Sequence, residues 1–263
     1  MEARILIVDD STEMLTLLES VLQGRYEVLT AGNGVDALAI LKEKPVDLVI
    51  SDVVMPGMDG LALCEAIKTD LNLSHIPVIL LTAKRELESK VEGLELGADA
   101  YMEKPVSDRL LQAQIASLLS NRRHVRDFFV HSPLAHISSI ASSKVDEKFL
   151  AALNNAIQEH LDDPRLDIDG LAKMMNMSRA TLYRKIRGIS DLTALELINI
   201  VRLKKAAHLL LESGNKVYEV AMLTGFNSQS SFTRNFYKQF KQTPSDFIRE
   251  RLGGQREVKD DTP

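Results

Sequence analysis

Apolar residues in the first half of the chain recur with two periods. Five short runs have strand composition: Arg4–Val8, Tyr26–Ala31, Leu48–Ser51, Pro77–Leu81 and Ala100–Glu103. Between and after them lie amphipathic helical patterns near Thr12–Gln23, Gly34–Lys42, Gly60–Thr69, Leu87–Leu96 and Ser107–Leu119. Strands that alternate with helices predict a parallel, doubly wound α/β sheet. Ile5-Leu6-Ile7-Val8 and Val78-Ile79-Leu80-Leu81 are apolar without interruption, as expected for strands covered on both faces.

The pattern changes after Asn121-Arg122-Arg123-His124, which is expected to end the last of these helices. Val130-His131-Ser132-Pro133 and the serine-rich Ser138–Ser143 have linker composition, while Phe128 and Phe129 suggest that part of the stretch packs on a domain. From Asp146 onward the period is helical throughout. One helix runs through Phe149, Leu150, Leu153 and Ile157 to Asp162-Asp163-Pro164, and a short one spans Ile168–Met175. Asn176-Met177 then turn the chain, and Ser178 caps a helix over Arg179–Arg187 whose Leu182 and Ile186 face inward. That leaves Arg179, Ala180, Tyr183, Arg184 and Arg187 on its outer surface. A short helix, a tight turn and a second helix with a basic outer face form a helix-turn-helix, the second helix being suited to a major groove.

The arrangement then repeats. A long helix through Leu195–Leu211 leads to Val217–Leu223, a turn at Thr224–Ser228, and a helix Gln229–Phe240 with Phe232 and Phe236 inward. Gln229, Ser230, Thr233 and Arg234 stay outward. Two such units can address adjacent major-groove segments, about 34 Å apart. The Met174-Met175-Met177 cluster is expected to serve as core.

Chemistry concentrates where the strands of the first half end. Leu48-Val49-Ile50 carries into Asp52, and Met55-Pro56-Gly57 turns the chain away. Asp9-Asp10 follow the first strand, Thr82 closes the fourth and Lys104-Pro105 the fifth. In open α/β sheets this carboxyl edge is where ligands bind. Three carboxylates in one cleft repel one another unless a divalent cation sits among them, and an all-oxygen set suits Mg²⁺. Lys104 brings a positive charge for a phosphate oxygen and Thr82 a hydroxyl donor. In that setting a carboxylate can act as a nucleophile toward a phosphoryl group.

Val8-Asp9-Asp10, Ser51–Gly60, Leu81-Thr82-Ala83-Lys84 and Gly97–Pro105 together resemble the response-regulator receiver domain across its length. The resemblance implies a five-stranded parallel sheet of flavodoxin-like order 2-1-3-4-5. It implies Asp52 as phosphoacceptor, Mg²⁺ held by Asp10, Asp52 and the Val54 carbonyl, and Asp9 completing the acidic pocket through the metal's water. Lys104 and Thr82 are then expected to contact the aspartyl phosphate, with the Lys104-Pro105 bond cis and the lysine aimed inward. The resemblance also implies a switch: Thr82 moves toward the phosphate and Tyr101 rotates inward, changing the nearby surface. Val54 and Lys84 hold positions that in receivers help place the hydrolytic water. Valine cannot orient water by hydrogen bonding, so a persistent phosphoryl group is expected.

Charge divides the chain in the same place as pattern. Residues 1–122 hold 11 Lys/Arg against 20 Asp/Glu, whereas residues 170–251 hold 14 against 6. An acidic module joined to a basic one fits a second half that meets a polyanion. Cys64 is the single cysteine, so an internal disulfide is excluded, and its apolar helical setting marks a core thiol. The histidines outside the acidic half, such as His124, His131, His136 and His160, show no ligand spacing. Ile5–Val8 is too short for a signal-peptide core or a membrane span, and the chain is expected to be cytoplasmic, without membrane contact.

Asp146–Leu252 resembles the AraC type of double helix-turn-helix domain, most specifically over Val220–Phe236 with Thr243-Pro244-Ser245. By that similarity Ala180, Tyr183 and Arg184, and Gln229, Ser230, Thr233 and Arg234, occupy base-facing positions. Arg and Gln can contact G and A bidentately. Arg179, Arg187 and Lys238 are expected at phosphates, adding affinity without sequence. Two departures stand out: Lys241 replaces the usual Gly before Thr-Pro-Ser, and Asp191-Leu192-Thr193-Ala194 replaces a Gly-x-Ser-Pro turn.

The expected organisation is a receiver at 1–122, a linker at 123–145, an all-α AraC-type domain at 146–252 and a tail at 253–263. The expected function is a two-component response regulator, not an enzyme with a small-molecule product. Its expected partners are a histidine kinase, promoter double-stranded DNA and a second copy in a phosphorylation-dependent homodimer, with RNA polymerase a candidate. Two alternatives stay open. One is the C-terminal part of a hybrid sensor histidine kinase. The other is a phosphate sink or docking module with non-specific DNA binding.

Overall fold

The computed structural model describes residues 3–83, 96–212 and 215–253, which form two compact units. Lys84, most of the helix expected near Leu87–Leu96 and nearly all of the tail fall outside the described residues. One unit comprises residues 1–123 with 142–146, the other residues 124–141 with 147–263.

The first unit is a five-stranded sheet of β1 (Arg4–Val8), β2 (Glu27–Ala31), β3 (Leu48–Asp52), β4 (Val78–Ala83) and β5 (Ala100–Lys104). All pairings are parallel and the order is β2-β1-β3-β4-β5, as expected. Side chains alternate across the pleat and so feed two cores. Leu6, Val8, Val49, Val78 and Leu80 point to one face, where they meet Ala37 and Leu41 of α2 (Gly34–Glu43) and Leu63, Cys64 and Ile67 of α3 (Gly60–Thr69). Ile5, Ile7, Leu48, Ile50, Ile79 and Leu81 point to the other, against Leu18 and Leu22 of α1 (Thr12–Leu22) and Leu111, Ile115 and Leu119 of α4 (Asp108–His131). Uninterrupted apolar strands are thus explained by burial on both sides. Cys64 is fully buried, and burial pushes its thiol up to about 11, which makes it a packing group.

Each loop that enters α1, α2 and α3 ends in a capping side chain. Ser11, Asn33 and Asp59 accept from the amides of Met14, Asp36 and Ala62. These caps start the helices at the carboxyl ends of β1, β2 and β3. The last helix runs longer than the sequence suggested, past His124 to His131. Residues 108–131 contain no Gly or Pro to stop it, and Pro133 lies two residues beyond its end.

The second unit is helical: α5 (Lys144–Glu159) from residue 147 onward, α6 (Ile168–Met174), α7 (Arg179–Ser190), α8 (Ala194–Leu211), α9 (Val217–Leu223), α10 (Gln229–Phe240) and α11 (Pro244–Gly253), with a 3₁₀ turn at Ile137–Ile140. The pairs α6–α7 and α9–α10 are the two expected helix-turn-helix motifs, and their turns match bond for bond. Met177 donates to the Ala172 carbonyl and Phe226 to the Ala221 carbonyl, around a left-handed residue in each, Asn176 (φ 50°) and Gly225 (φ 73°). Gly225 has a further reason to be glycine: a Cβ there would lie 2.5 Å from the Leu161 carbonyl oxygen. Around α9 and α10 the core is aromatic, with Phe226, Phe232, Phe236, Phe240 and Phe247 in edge-on pairs whose centroids are 4.9–5.7 Å apart. The methionine cluster departs from expectation, since Met174 is exposed at the end of short α6. Leu171 and Ala172 fill the inward face of that helix instead. Among the described residues no helix is long and apolar enough to cross a membrane.

Candidate functional site

The carboxyl edge of the sheet assembles the acidic pocket. β1 delivers Asp9 and Asp10, and β3 ends on Asp52. One carboxylate oxygen from each of the three lies within 4.8 Å of the others. Asp9 is almost wholly buried, Asp52 half-buried and Asp10 exposed, so the cluster opens toward solvent on one side. The Asp9 carboxylate is oriented by the Ser11 amide, 2.9 Å from Oδ1. Its other oxygen faces Lys104.

Lys104 closes β5 through a cis bond to Pro105, as expected. Its Nζ stands 2.9 Å from Asp9 Oδ2 and 2.9 Å from Asp52 Oδ2. Burial draws this ammonium down, but the hydrogen bonds to Asp9 and Asp52 outweigh it and hold it above the ordinary lysine range. Thr82, at the end of β4, is buried, and its hydroxyl donates to the Ala83 carbonyl at 3.3 Å. Tyr101 is half-buried and packs against the core on the α2–α3 face. Val54 follows the pocket with 62% of its surface exposed.

Three carboxylates and one lysine leave the pocket net negative. The donors are all hard oxygens, a set that fits a hard divalent cation such as Mg²⁺ better than a soft metal. The Lys104 ammonium, with the Thr82 hydroxyl at the same edge of the sheet, is the kind of donor that suits phosphoryl oxygens.

Gly60 closes the Ser51–Gly60 motif, and its close approach to Asp52 is what the motif did not reveal. A Cβ there would fall 2.0 Å from the Asp52 carbonyl oxygen, and its amide donates to the Val53 carbonyl at 2.9 Å. The glycine lets the first turn of α3 lie directly on the end of β3. A second such device is the buried Lys68, which binds Asp99 at 2.7 Å and the Ile76 carbonyl at 2.9 Å, tying α3 to the loops before β4 and β5.

The second unit carries the recognition faces. Ser178 and Ser228 cap α7 and α10, accepting from Thr181 and Ser231. Along α7, Leu182 and Ile186 are buried while Arg179, Ala180, Tyr183, Arg184 and Arg187 are exposed. Along α10, Phe232 and Phe236 are buried, Gln229, Ser230, Arg234 and Lys238 are exposed, and Thr233 is half-buried. The outward sets are those expected. Arg179 also pairs with Asp169 of α6 at 3.2 Å, and Arg187 donates to the Asp191 carbonyl.

Both departures from the family pattern fall at helix ends. Asp191 (φ 57°) and Lys241 (φ 61°) are the left-handed caps of α7 and α10, positions where glycine is the usual choice. The turn after the first helix-turn-helix is nonetheless closed normally, because Thr193 and Glu196 form a capping box that starts α8.

Known proteins match the two segments that carry these residues. Residues 5–116 match the family model of the response regulator receiver domain, and residues 171–250 that of a helix-turn-helix domain. Histidine kinase P4 of Formosa agariphila is 35% identical over 246 residues, 94% of this chain but 18% of that protein. Response regulator PleD of Caulobacter vibrioides is 44% identical over 119 residues, 45% of this chain and 26% of its own length. The probable transcriptional regulator ycf27 of Porphyra purpurea is 35% identical over 169 residues, 64% of this chain and 65% of that one. The chain thus spans less than two thirds of each of these relatives. Among solved structures, a receiver domain of a Syntrophus aciditrophicus signal transduction histidine kinase is 41% identical, covering 45% of this chain and 91% of that one, with a TM-score of 0.43. The matched segments are the ones that hold the acidic pocket and the paired helix-turn-helix motifs: residues 5–116 are a response regulator receiver domain and residues 171–250 an AraC-type helix-turn-helix domain.

Proposed function

We propose that the chain works as a two-component response regulator, in which a histidine kinase phosphorylates Asp52 and thereby controls sequence-specific binding of the second unit to promoter DNA. One observation carries this reading. The oxygens of Asp9, Asp10 and Asp52 converge within 4.8 Å beside Lys104, on a chain that also bears two helix-turn-helix motifs. An Asp52 carboxylate oxygen attacks the phosphorus of a phosphohistidine, the P–N bond breaks, and its electrons leave with the imidazole. Lys104 and the Thr82 hydroxyl receive the new phosphate oxygens, and Tyr101 follows Thr82 inward. Asp9, Asp10, Asp52 and the Val54 carbonyl would hold Mg²⁺, which when bound offsets the charge that the carboxylates and the incoming phosphoryl group bring together.

On the DNA side, Ala180, Tyr183, Arg184, Gln229, Ser230, Thr233 and Arg234 face bases while Arg179, Arg187 and Lys238 contact phosphates. Phosphorylation acts through a receiver-mediated homodimer. The test is beryllofluoride, an acyl-phosphate mimic, added with and without Mg²⁺. The expected result is a change in oligomeric state or DNA affinity that needs Mg²⁺ and is absent in Asp52→Asn. No change in either quantity overturns the proposal.

The long match to Histidine kinase P4 favours a second setting for the same chemistry. In that setting the receiver and DNA-binding parts would be joined to a sensor kinase, and the phosphodonor would lie on the same polypeptide. A phosphotransfer assay against kinases supplied in trans distinguishes the two.

A further inference from the structure

The stretch expected to be a linker contains a built structure. Residues 124–134 belong to the second unit and grip the ends of both recognition helices. At α7, Arg126 donates through Nε to the Ile189 carbonyl at 3.0 Å and pairs with the Asp191 carboxylate. Ile189 lies in the last turn of α7, where carbonyls lack helical partners and the dipole favours a cation. Asp191 is the left-handed residue that closes the same helix.

At α10 the roles reverse. Gln239, one residue from the end of that helix, donates through Nε2 to the Val130 carbonyl at 2.8 Å. Val130 lies in the last turn of α4, so this carbonyl is a terminal one as well. Between the two grips, Lys204 of α8 donates to the Ser132 carbonyl, and its Nζ stands 4.5 Å from the Phe129 ring centroid and 5.9 Å from that of Phe240. Phe129 is fully buried, and Leu134 packs on the aromatic core that holds Phe232, Phe236 and Phe240.

One short segment therefore satisfies helix-end groups on α7 and presents its own to α10, and the outward residues of the amino-terminal halves of both helices, such as Arg179, Arg184, Gln229 and Arg234, stay exposed. We propose that residues 124–134 are a brace that sets the separation of α7 and α10, with Arg126 and Gln239 as positioning residues for selectivity between differently spaced half-sites. The brace would make the spacing of the two helices a property of the chain that leaves α4. Arg126 and Gln239 are not in the proposed DNA-contacting set. The selectivity part rests on the reading of the second unit as a sequence-specific DNA binder, whereas the separation part does not.

The test has two arms on the full chain, comparing wild type with Arg126→Gln plus Gln239→Leu, each change alone, and Arg126→Lys. In the first arm, spin labels at Ala180→Cys and Ser230→Cys, with Cys64→Ala, report the distance between the recognition helices without DNA. The expected result is one narrow distribution in the wild type, kept narrow in Arg126→Lys and broadened or displaced in the double variant. An unchanged distribution in the double variant overturns the brace. Should the double variant lose cooperative melting, the single variants carry this arm.

In the second arm, duplexes enriched by the wild type from a random library are lengthened by one base pair between the half-sites. The wild type is expected to lose about tenfold or more in affinity, consistent with a mismatch-sized cost, and the double variant distinctly less, with affinity for an isolated half-site unchanged. Equal losses overturn the link to selectivity. Failure of the wild type to enrich any sequence overturns the proposed DNA reading instead, while the spin-label arm still decides the brace.

Discussion

The acidic pocket and the recognition faces are assembled by opposite routes. In the pocket, Lys104 and Asp9 meet at 2.9 Å across 95 positions of sequence, brought together by strand order alone. On the recognition faces, each outward set sits within a single twelve-residue helix that begins one residue after its serine cap. The pocket is thus intolerant of any change in sheet order but needs few residues. The recognition faces are locally encoded, and what they borrow from the rest of the unit is their placement relative to each other. The difference teaches that the input can be silenced at one atom, whereas the output degrades in steps.

The sharpest way to test that contrast is Asp52→Asn, which should abolish acyl-phosphate formation from a small phosphodonor with Mg²⁺. Arg184→Ala with Arg234→Ala should leave phosphorylation intact and remove selectivity for a promoter fragment. Radiolabel incorporation and footprinting on the same preparations read both outcomes. Selectivity retained in the arginine pair would break the assignment of bases to those residues.

Next in size is the core beneath the second recognition face. Phe236→Ala should cost about 3–5 kcal/mol of stability in denaturant unfolding, because a fully buried ring within an aromatic cluster leaves a cavity. Arg234→Ala, two residues earlier on the outside of the same helix, should stay within about 0.5 kcal/mol of wild type. Comparable losses at the two sites would contradict the division into a packed face and a free one.

Lys204 offers a test by pH. Burial brings its ammonium down to about 8, while an unfolded chain keeps an ordinary value near ~10.4. Between these values the unfolded state binds more protons, so stability rises as pH climbs through the window and is flat below it. The rise should approach about 3 kcal/mol in all, and Lys204→Met should remove it. Urea titrations from pH 7 to 10.5 on both proteins measure the difference. Parallel curves would mean that Lys204 keeps an ordinary affinity for its proton.

The smallest effects lie at the helix ends. Ser178→Ala and Ser228→Ala should each cost about 1 kcal/mol, measured by thermal unfolding. Lys241→Gly should be neutral or stabilising by up to about 1 kcal/mol, since a left-handed cap suits glycine. Asp191→Gly should gain less, because it gives up the Arg126 partner. Equal gains at the two caps would remove one support for the brace.

Much of this was legible in the order of residues, and the reasons are local. Period-two and period-3.6 patterns follow from backbone geometry, so the five strands, the paired motifs and the inward Leu182, Ile186, Phe232 and Phe236 could be placed from side-chain type. Asp9, Asp10, Asp52, Thr82 and Lys104 could be assigned to one edge because every strand of a parallel sheet ends on the same side. What pattern could not supply were interactions between groups that carry no periodic signal. The close approach of Gly60 to the Asp52 carbonyl depends on how α3 lies on β3. The Lys68–Asp99 pair depends on two loops meeting.

Phe129 marks the limit most clearly. Phe128 and Phe129 signalled that part of this linker-like stretch packs on a domain, but its composition gave no sign of hydrogen bonds to helix-end carbonyls and side chains far along the chain. Such groups exist at every helix end, and their partners are chosen only when the helices pack. The sequence by itself determined where the acids lie, which helices pair as helix-turn-helix motifs and which faces are buried, because these follow from local chemistry. Only the tertiary structure decided that Lys104 joins Asp9 to Asp52 and that residues 124–134 join α7 to α10, because each of those contacts requires two distant backbones to be fixed first.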